Sequence, residues 1–274
     1  MELRELVAAA LAEDIGPRDV TAEATVPAET RARGTLLAKQ DLVLAGLEAA
    51  RAAFEMRVPG LAWEPRFADG DRIRRGSVIV TLAGDARGLL SAERVALNFL
   101  QQACGVATLT RLFVDAVAGT KARVRDTRKT LPLLRSLQKR AVALGGGEPH
   151  RTGLATGVLI KDNHVRLAGS AEEATRRAVA AGTGLPVEAE VERLDQIEGV
   201  LAAGAHMLLL DNFTPEQVRE AVALVAGRVP VEVSGGVRLD NVRAHAEAGA
   251  DFIAIGALTH SAPAADISLE LEPQ

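Results

Sequence analysis

Between residues 126 and 164 the chain concentrates side chains that bind anions. Asp126-Thr127-Arg128-Lys129-Thr130 opens the stretch, Gly145-Gly146-Gly147 and His150-Arg151 follow, and Lys161-Asp162-Asn163-His164 closes it. The cations stand at or just after the apolar runs 122–124 and 158–160, which read as short buried strands. Burying several like charges without partners is costly, so a polyanionic ligand is their simplest complement.

Further along, the residues that close successive apolar runs are again polar: Glu190, Asp211, Ser234-Gly235-Gly236 and Gly256-Ala257. In α/β barrels the C-terminal strand ends converge on one mouth, where catalytic groups collect. Singly, each is an ordinary solvent-facing residue; in succession at the same place in a repeat, they point to a common pocket. Ser234, Gly235, Gly236 and Gly256 offer bare backbone N–H groups before helices, the chemistry of a phosphate cradle. Glu190 and Asp211 suit Mg²⁺, which takes a few carboxylates together with substrate phosphate oxygens, although either acid alone could merely balance local cations. Arg128, Arg151 and Lys161 could clamp planar carboxylates, the arginine forks in bidentate fashion. His150 and His260 are by type alone more often structural than catalytic. Neither paired-Cys nor HxxxH spacing appears, nor GxSxG, a Walker loop or GxGxxG after a strand, so zinc, hydride transfer and nucleophilic hydrolysis lack support.

Composition agrees with a local rather than a general cation field. The 274 residues are 48% hydrophobic and 25% charged, with a net charge of -4. An isoelectric point near 5.8 gives no broad attraction for nucleic acid or an acidic membrane. Tyrosine is absent and aromatics make up 3%, which disfavours stacking platforms for single strands. The single cysteine, Cys104, excludes an internal disulfide and reads as a buried small side chain. No apolar leader and no apolar run long enough to span a bilayer is present, so a cytoplasmic protein is expected.

The elements that must position these residues fall into two parts. Leu3, Leu6, Val7, Ala10 and Leu11 predict an amphipathic helix ending near Gly16-Pro17, followed by an irregular segment around Asp19 and Thr21. Residues 34–45 are strand-like and 47–54 helical; residues 67–80 alternate between two glycine turns. That last pattern resembles biotinyl and lipoyl carriers, but no lysine lies between Gly60 and Leu90 to carry the group, so it reads as a structural hammerhead. Ser91 with Glu93 predicts a capped helix running to Val117, with Arg94 near its start as a solvated charge. Beyond Lys121, strands expected at 122–126, 158–161, 187–191, 206–211, 229–234 and 252–256 alternate with helices at 171–181, 195–203, 215–226 and 239–248. Such repeats build a parallel sheet buried on both faces. Six units are fewer than the eight of a complete barrel.

Taken together, Glu13-Asp14-Ile15-Gly16 with Asp19 and Thr21, SAERVALN, DTRKT, GGG followed by His150-Arg151, LIKDNH, EAEVE, LLDNF, SGG and GALTH stand in the order found in quinolinate phosphoribosyltransferases. The chain resembles that family over nearly its whole length. The resemblance implies an N-terminal α/β-sandwich domain (1–106) and an incomplete (β/α) barrel (107–266), with the tail 267–274 packing back on the first. It implies transfer of phosphoribose from phosphoribosyl pyrophosphate (PRPP) to quinolinate with loss of CO₂, in NAD biosynthesis, with Mg²⁺ as cofactor. It also implies a homodimer whose active site is shared across the interface, with no nucleic acid or membrane partner.

By motif, Arg94 resembles an arginine supplied across that interface, which replaces the surface reading. Arg128, His150, Arg151 and Lys161 resemble the quinolinate cage, and Lys129 a residue that meets PRPP. Glu190 and Asp211 resemble the acids that serve ribose and metal; with Lys129 and Lys161 they make the catalytic set. Ser234, Gly235, Gly236, Gly256 and His260 resemble the 5′-phosphate site. Departures occur at Leu133, where relatives commonly have glycine, at Arg140, at Pro149, and at Ala155-Thr156-Gly157. Two alternatives remain: a paralogue of the molybdenum-transport-associated type using another acceptor, and a non-catalytic anion-binding barrel. Retention of Glu190 and Asp211 speaks against the second.

Overall fold

The structure, a computed structural model, describes residues 2–274. The chain divides into two compact units. The first comprises the residues up to Leu109 together with Leu131–Gly146 and Ser261–Gln274, and the second comprises Thr110–Thr130 with Gly147–His260.

In the first unit, helix α1 (Leu3–Ile15) buries Val7 and Leu11 and stops at Gly16, whose φ of 58° suits glycine. The segment expected to be irregular contains a short helix, α2 (Val20–Thr25). Asp19 caps it by accepting from Thr21 N and Ala22 N, a local bond pattern too short to leave a periodic signature. Strands β1 (Arg31–Ala38), β2 (Leu42–Val43), β3 (Ala62–Pro65), β4 (Arg72–Ile73) and β5 (Val78–Asp85) surround helix α3 (Leu47–Arg57). With the C-terminal strand β12 (Ile267–Pro273) they form an antiparallel sheet in the order β12-β1-β5-β3, beside the small pair β2-β4. Leu36, Phe54, Ile79 and Leu100 are fully buried in its core. Cys104 lies there too; its thiol donates to Ala45 O at 3.3 Å, and burial pushes it up to about 12.

Helix α4 (Ala86–Ala116) starts earlier than the Ser91 cap predicted. Asp85 does the capping, its Oδ2 accepting from Gly88 N at 2.7 Å, while Ser91 lies within the helix and donates to Arg87 O and Asp19 Oδ2. A Ser-x-Glu pattern inside a helix looks the same in sequence as one at its start.

The second unit contains the expected parallel strands: β6 (Arg123–Arg125), β7 (Val158–Ile160), β8 (Val187–Val191), β9 (Met207–Asp211), β10 (Val231–Ser234) and β11 (Phe252–Ala254). Their order is β6-β11-β10-β9-β8-β7, every neighbouring pair parallel. Among the described residues no ladder joins the edge strands β6 and β7. Glu148 instead makes a single parallel bridge to Arg125 at the β6 edge. Helix α5 (Arg135–Leu144) belongs to the first unit, and α6 (Asp162–Ala168) follows β7. Next come α7 (Ala171–Ala180), α8 (Ile197–Ala202), α9 (Pro215–Val225), α10 (Val242–Glu247) and α11 (Ala257–His260). Ser170 and Thr214 cap α7 and α9 by accepting from Glu173 N and Gln217 N. Among the described residues no helix is long and apolar enough to cross a membrane.

Candidate active site

The C-terminal ends of the parallel strands line a cavity of about 260 Å³ that takes in Arg128, Lys129, His150, Arg151, Lys161 and Asp211. Ser234, Asp126 and Glu232 complete its polar wall. The structure thus brings Arg128, Lys129, His150, Arg151, Lys161, Asp211 and Ser234 of the expected site to one cavity, although 105 positions separate Lys129 from Ser234 in the chain. Arg94 is not among them; it lies exposed on α4 in the first unit.

At the β7 and β8 ends, Lys161 Nζ donates to Glu190 Oε2 at 3.0 Å, and Asp162 N lies 3.3 Å from Glu190 Oε1. Glu190 is buried and Lys161 exposed. Asp211 is half-buried, and burial followed by the charge of Glu190 holds its carboxyl above the ordinary value, against Lys161 and Lys129. Two neighbouring acids that offer oxygen donors only have the chemistry of a hard divalent cation site.

On the other side of the mouth, Asn212 takes a left-handed φ of 59° and donates from Nδ2 to Asp211 Oδ2 at 2.7 Å. Its backbone N donates to Ser234 O at 2.8 Å. Gly235 has φ of 88°, and a Cβ there would fall 2.2 Å from Asn212 Oδ1. Only glycine fits. A Cβ on Gly256 would fall 3.0 Å from Lys129 Cδ and 3.1 Å from His260 Nε2, and Thr259 Oγ1 donates to Lys129 O at 2.8 Å. The Ser-Gly-Gly turn belongs with Asp211 and Asn212, whereas Gly256, His260 and Lys129 form a second close-packed group.

Arg128 and Arg151 are close enough to repel. Burial first, and then the charge of Arg128, pull the Arg151 guanidinium below its usual value while Glu188 opposes them. Arg151 Nη1 donates to Gly157 O at 2.9 Å, but its buried Nε has no hydrogen-bond partner. Thr156 Oγ1 accepts from Thr152 N and Gly153 N at 3.0 and 3.1 Å, so the departing Ala155-Thr156-Gly157 triplet makes its own support for Arg151. Of the other departures, Pro149 adjoins His150 in the second unit, whereas Leu133 and Arg140 lie in the first, Leu133 with φ of 64° and Arg140 paired with Glu48 at 2.9 Å.

From the cavity wall a buried network extends around His150, and its members Arg125, Glu148, Glu188 and Glu232 were not among the residues expected from the sequence. His150 N donates to Asp126 Oδ1 at 2.8 Å, and His150 Nδ1 accepts from Arg151 N at 2.7 Å. His150 Nε2 lies 3.0 Å from Glu188 Oε2 and 3.6 Å from Glu232 Oε1. Burial works against a charged His150 and the two acids favour it, with the balance above the ordinary imidazole value. Its Nδ1 nevertheless accepts an N–H, so the ring as placed holds its proton on Nε2. Arg125 donates to Glu232 Oε2 at 3.0 Å and Glu148 Oε1 at 2.7 Å, with its guanidinium 3.3 Å from the centre of the Phe252 ring. Glu232 is fully buried, and burial first, then the charge of Glu188, push it up to about 7. The signal for these residues was present: Arg125, Glu188 and Glu232 are charges inside apolar runs, and such charges must be paired.

Comparison with known proteins bears on the whole chain. Residues 19–104 match the N-terminal domain of quinolinate phosphoribosyl transferase, and residues 106–270 match its C-terminal domain. A relative from Mycobacterium leprae named nicotinate-nucleotide pyrophosphorylase (carboxylating) is 44% identical, the match covering 98% of this chain and 96% of that one. A Bacillus subtilis relative, named as a probable enzyme of the same kind, is 37% identical over 99% of this chain and 94% of its own. The solved nicotinate-nucleotide pyrophosphorylase of Ehrlichia chaffeensis superposes with a TM-score of 0.95 at 38% identity, covering 99% of both chains. With both domains matched in order and near-complete relatives well above 30% identity, the chain belongs to the quinolinate phosphoribosyl transferase family.

Proposed function

We propose that the protein transfers phosphoribose from PRPP to quinolinate with decarboxylation, giving nicotinate mononucleotide, pyrophosphate and CO₂ for NAD biosynthesis. The observation that carries this reading is the half-buried pair Arg128 and Arg151 beside Lys161 in one cavity, where burial first and then repulsion from Arg128 disfavour the Arg151 cation. A dianionic acid relieves that repulsion, and two carboxylates on adjacent ring positions match two forks and an ammonium. The relatives described above carry the carboxylating activity in their names, which favours quinolinate over a different acceptor.

Arg128, Arg151 and Lys161 hold the acceptor, with His150 below them, so that the ring nitrogen faces C1 of the ribose. Ser234, Gly235, Gly236, Gly256 and His260 hold the 5′-phosphate, and Lys129 faces the pyrophosphate. The C1–O bond to pyrophosphate breaks as the nitrogen–C1 bond forms, and positive charge grows on the ribose next to Glu190 and Asp211. The alkylated, cationic ring then accepts the electron pair left when the C2–carboxylate bond breaks, and C2 takes a proton. Mg²⁺ fits Glu190 and Asp211, whose mutual repulsion a divalent cation relieves; when bound it neutralises charge on the departing pyrophosphate.

The active unit is a homodimer in which Arg94 of the partner subunit completes the cage; support for this is the exposed guanidinium on α4 and the SAERVALN motif around it. The protein works in the cytoplasm, where PRPP is available. The test is to mix purified protein with PRPP, Mg²⁺ and either quinolinate or nicotinate and follow product mass. Turnover with quinolinate supports the reading, and no turnover with either acid overturns it.

A further inference from the structure

We infer that Glu188 and Glu232, acting through His150, are positioning residues for the acceptor clamp. The inference deepens the function proposed above and rests on it for the identity of the acceptor. Segment 148–151 carries His150 and Arg151 but belongs to no strand ladder; its backbone is tied at the β6 edge by one bridge, between Glu148 and Arg125, and by the bond from His150 N to Asp126 Oδ1 at 2.8 Å. A backbone so weakly tied would let Arg151 wander by the ångström that spoils a carboxylate clamp.

Side chains supply what the ladder does not. Arg125 on β6 reaches Glu148 at 2.7 Å and Glu232 on β10 at 3.0 Å. Glu188 on β8 takes the other side of His150 at 3.0 Å. The segment is thus held from β6, β8 and β10 by groups with little exposure: Arg125 at 13%, Glu188 at 9% and Glu232 at 0% of their side chains. Low exposure lends such bonds strength and direction that surface pairs lack.

The consequence reaches Arg151 through two links. With Nε2 tied to Glu188, Nδ1 is left as the acceptor for Arg151 N at 2.7 Å, which fixes the backbone from which the guanidinium extends. The grouping of His150, Glu188 and Glu232 within 4.8 Å superficially resembles a metal site. Arg125 takes Glu232 Oε2 and His150 Nε2 takes Glu188 Oε2, so one oxygen of each acid serves the clamp, while the Oε1 atoms of both are buried without a hydrogen-bond partner.

The test uses Glu188→Gln, Glu188→Ala and Glu232→Ala in the full-length protein. The alanine variants are expected to raise the KM for quinolinate at least tenfold, with the KM for PRPP within about twofold. Glu188→Gln keeps an oxygen that can accept from Nε2 and is expected to recover most of the quinolinate KM. Equal rises in both KM values, or no rise in either, would overturn the inference. Nitrogen-15 NMR of the histidine side chains reads the same device without turnover: His150 should carry its proton on Nε2 in the unliganded wild type and lose that preference in Glu188→Ala. A wild type that binds neither substrate sinks the proposed function alone. An unchanged His150 tautomer in Glu188→Ala sinks the positioning role alone.

Discussion

Lys161 Nζ stands 3.0 Å from Glu190 Oε2, so the cation that follows β7 and the acid of β8 are partners within the protein. An incoming carboxylate must therefore share Lys161 with Glu190, and the two side chains act as a unit. Replacing Lys161 with alanine leaves Glu190 buried with only the Asp162 N–H nearby. The expected result is a fall in kcat/KM of roughly 100-fold, as for other charge-bearing catalytic contacts, with Lys161→Ala/Glu190→Gln less impaired than the product of the single losses. Steady-state kinetics on the three variants check this, and strict additivity would contradict it.

Gly235→Ala adds a methyl group 2.2 Å from Asn212 Oδ1 at a φ of 88°. Strain of this kind costs about 1–3 kcal/mol, and Asn212 must move away from Asp211 and Ser234. Thermal unfolding should show the loss, and the KM for PRPP should rise more than that for quinolinate. A variant with unchanged melting temperature and unchanged PRPP KM would separate this turn from the phosphate site.

Leu133 has φ of 64° and is 74% exposed, so its side chain gains little by burial while its backbone occupies a region that favours glycine. Glycine at the same φ removes the left-handed penalty of about 1–2 kcal/mol, and its greater freedom in the unfolded chain returns about 0.5–1 kcal/mol of that. Leu133→Gly should therefore raise stability slightly in denaturant titrations. A clear loss would mean that the leucine side chain makes a contact outside the monomer.

Burial pushes the Glu232 carboxyl in the folded protein up to about 7 from its ordinary value of 4.5. The native state holds this proton more tightly than the unfolded chain does, so stability contributed by Glu232 is full below about 4.5 and declines as pH rises towards 7, then levels off. The decline is smaller where Arg125 moves with the carboxylate. Glu232→Gln should remove this component from the pH dependence of unfolding measured between those limits. Identical profiles for wild type and variant would rule it out.

A shared active site predicts complementation. Arg94→Ala and Lys161→Ala chains, each inactive alone, should regain part of the activity when mixed, because one of the two sites in a hybrid dimer has both residues intact. Subunit exchange without recovery would show that each site is built from one chain.

The parallel strands were legible because each apolar run was closed by polar residues and alternated with helical segments at the spacing of βα units. The positions at the strand ends followed from that repeat. Less legible was the charge state of the mouth. Lys161 and Arg125 look like unanswered cations in the sequence, but Glu190 and Glu232 answer them from distant strands, and nothing local to residues 126–164 announces those partners. Asp85 was missed as the α4 cap because Ser91 offered the same signal a few residues later. Nor does a sequence show that Leu131–Gly146, lying between two site segments, folds with the first unit, since membership of a unit is decided by long-range contacts.

The central claim is that one cavity joins phosphoribose to a dicarboxylate and then expels CO₂. The direct measurement uses quinolinate labelled with carbon-13 in its 2-carboxylate, mixed with PRPP, Mg²⁺ and the protein, with gas and nucleotide followed by mass spectrometry. The account predicts labelled CO₂, pyrophosphate and unlabelled nicotinate mononucleotide in equal amounts. Label retained in the nucleotide, or no nucleotide at all, would contradict it.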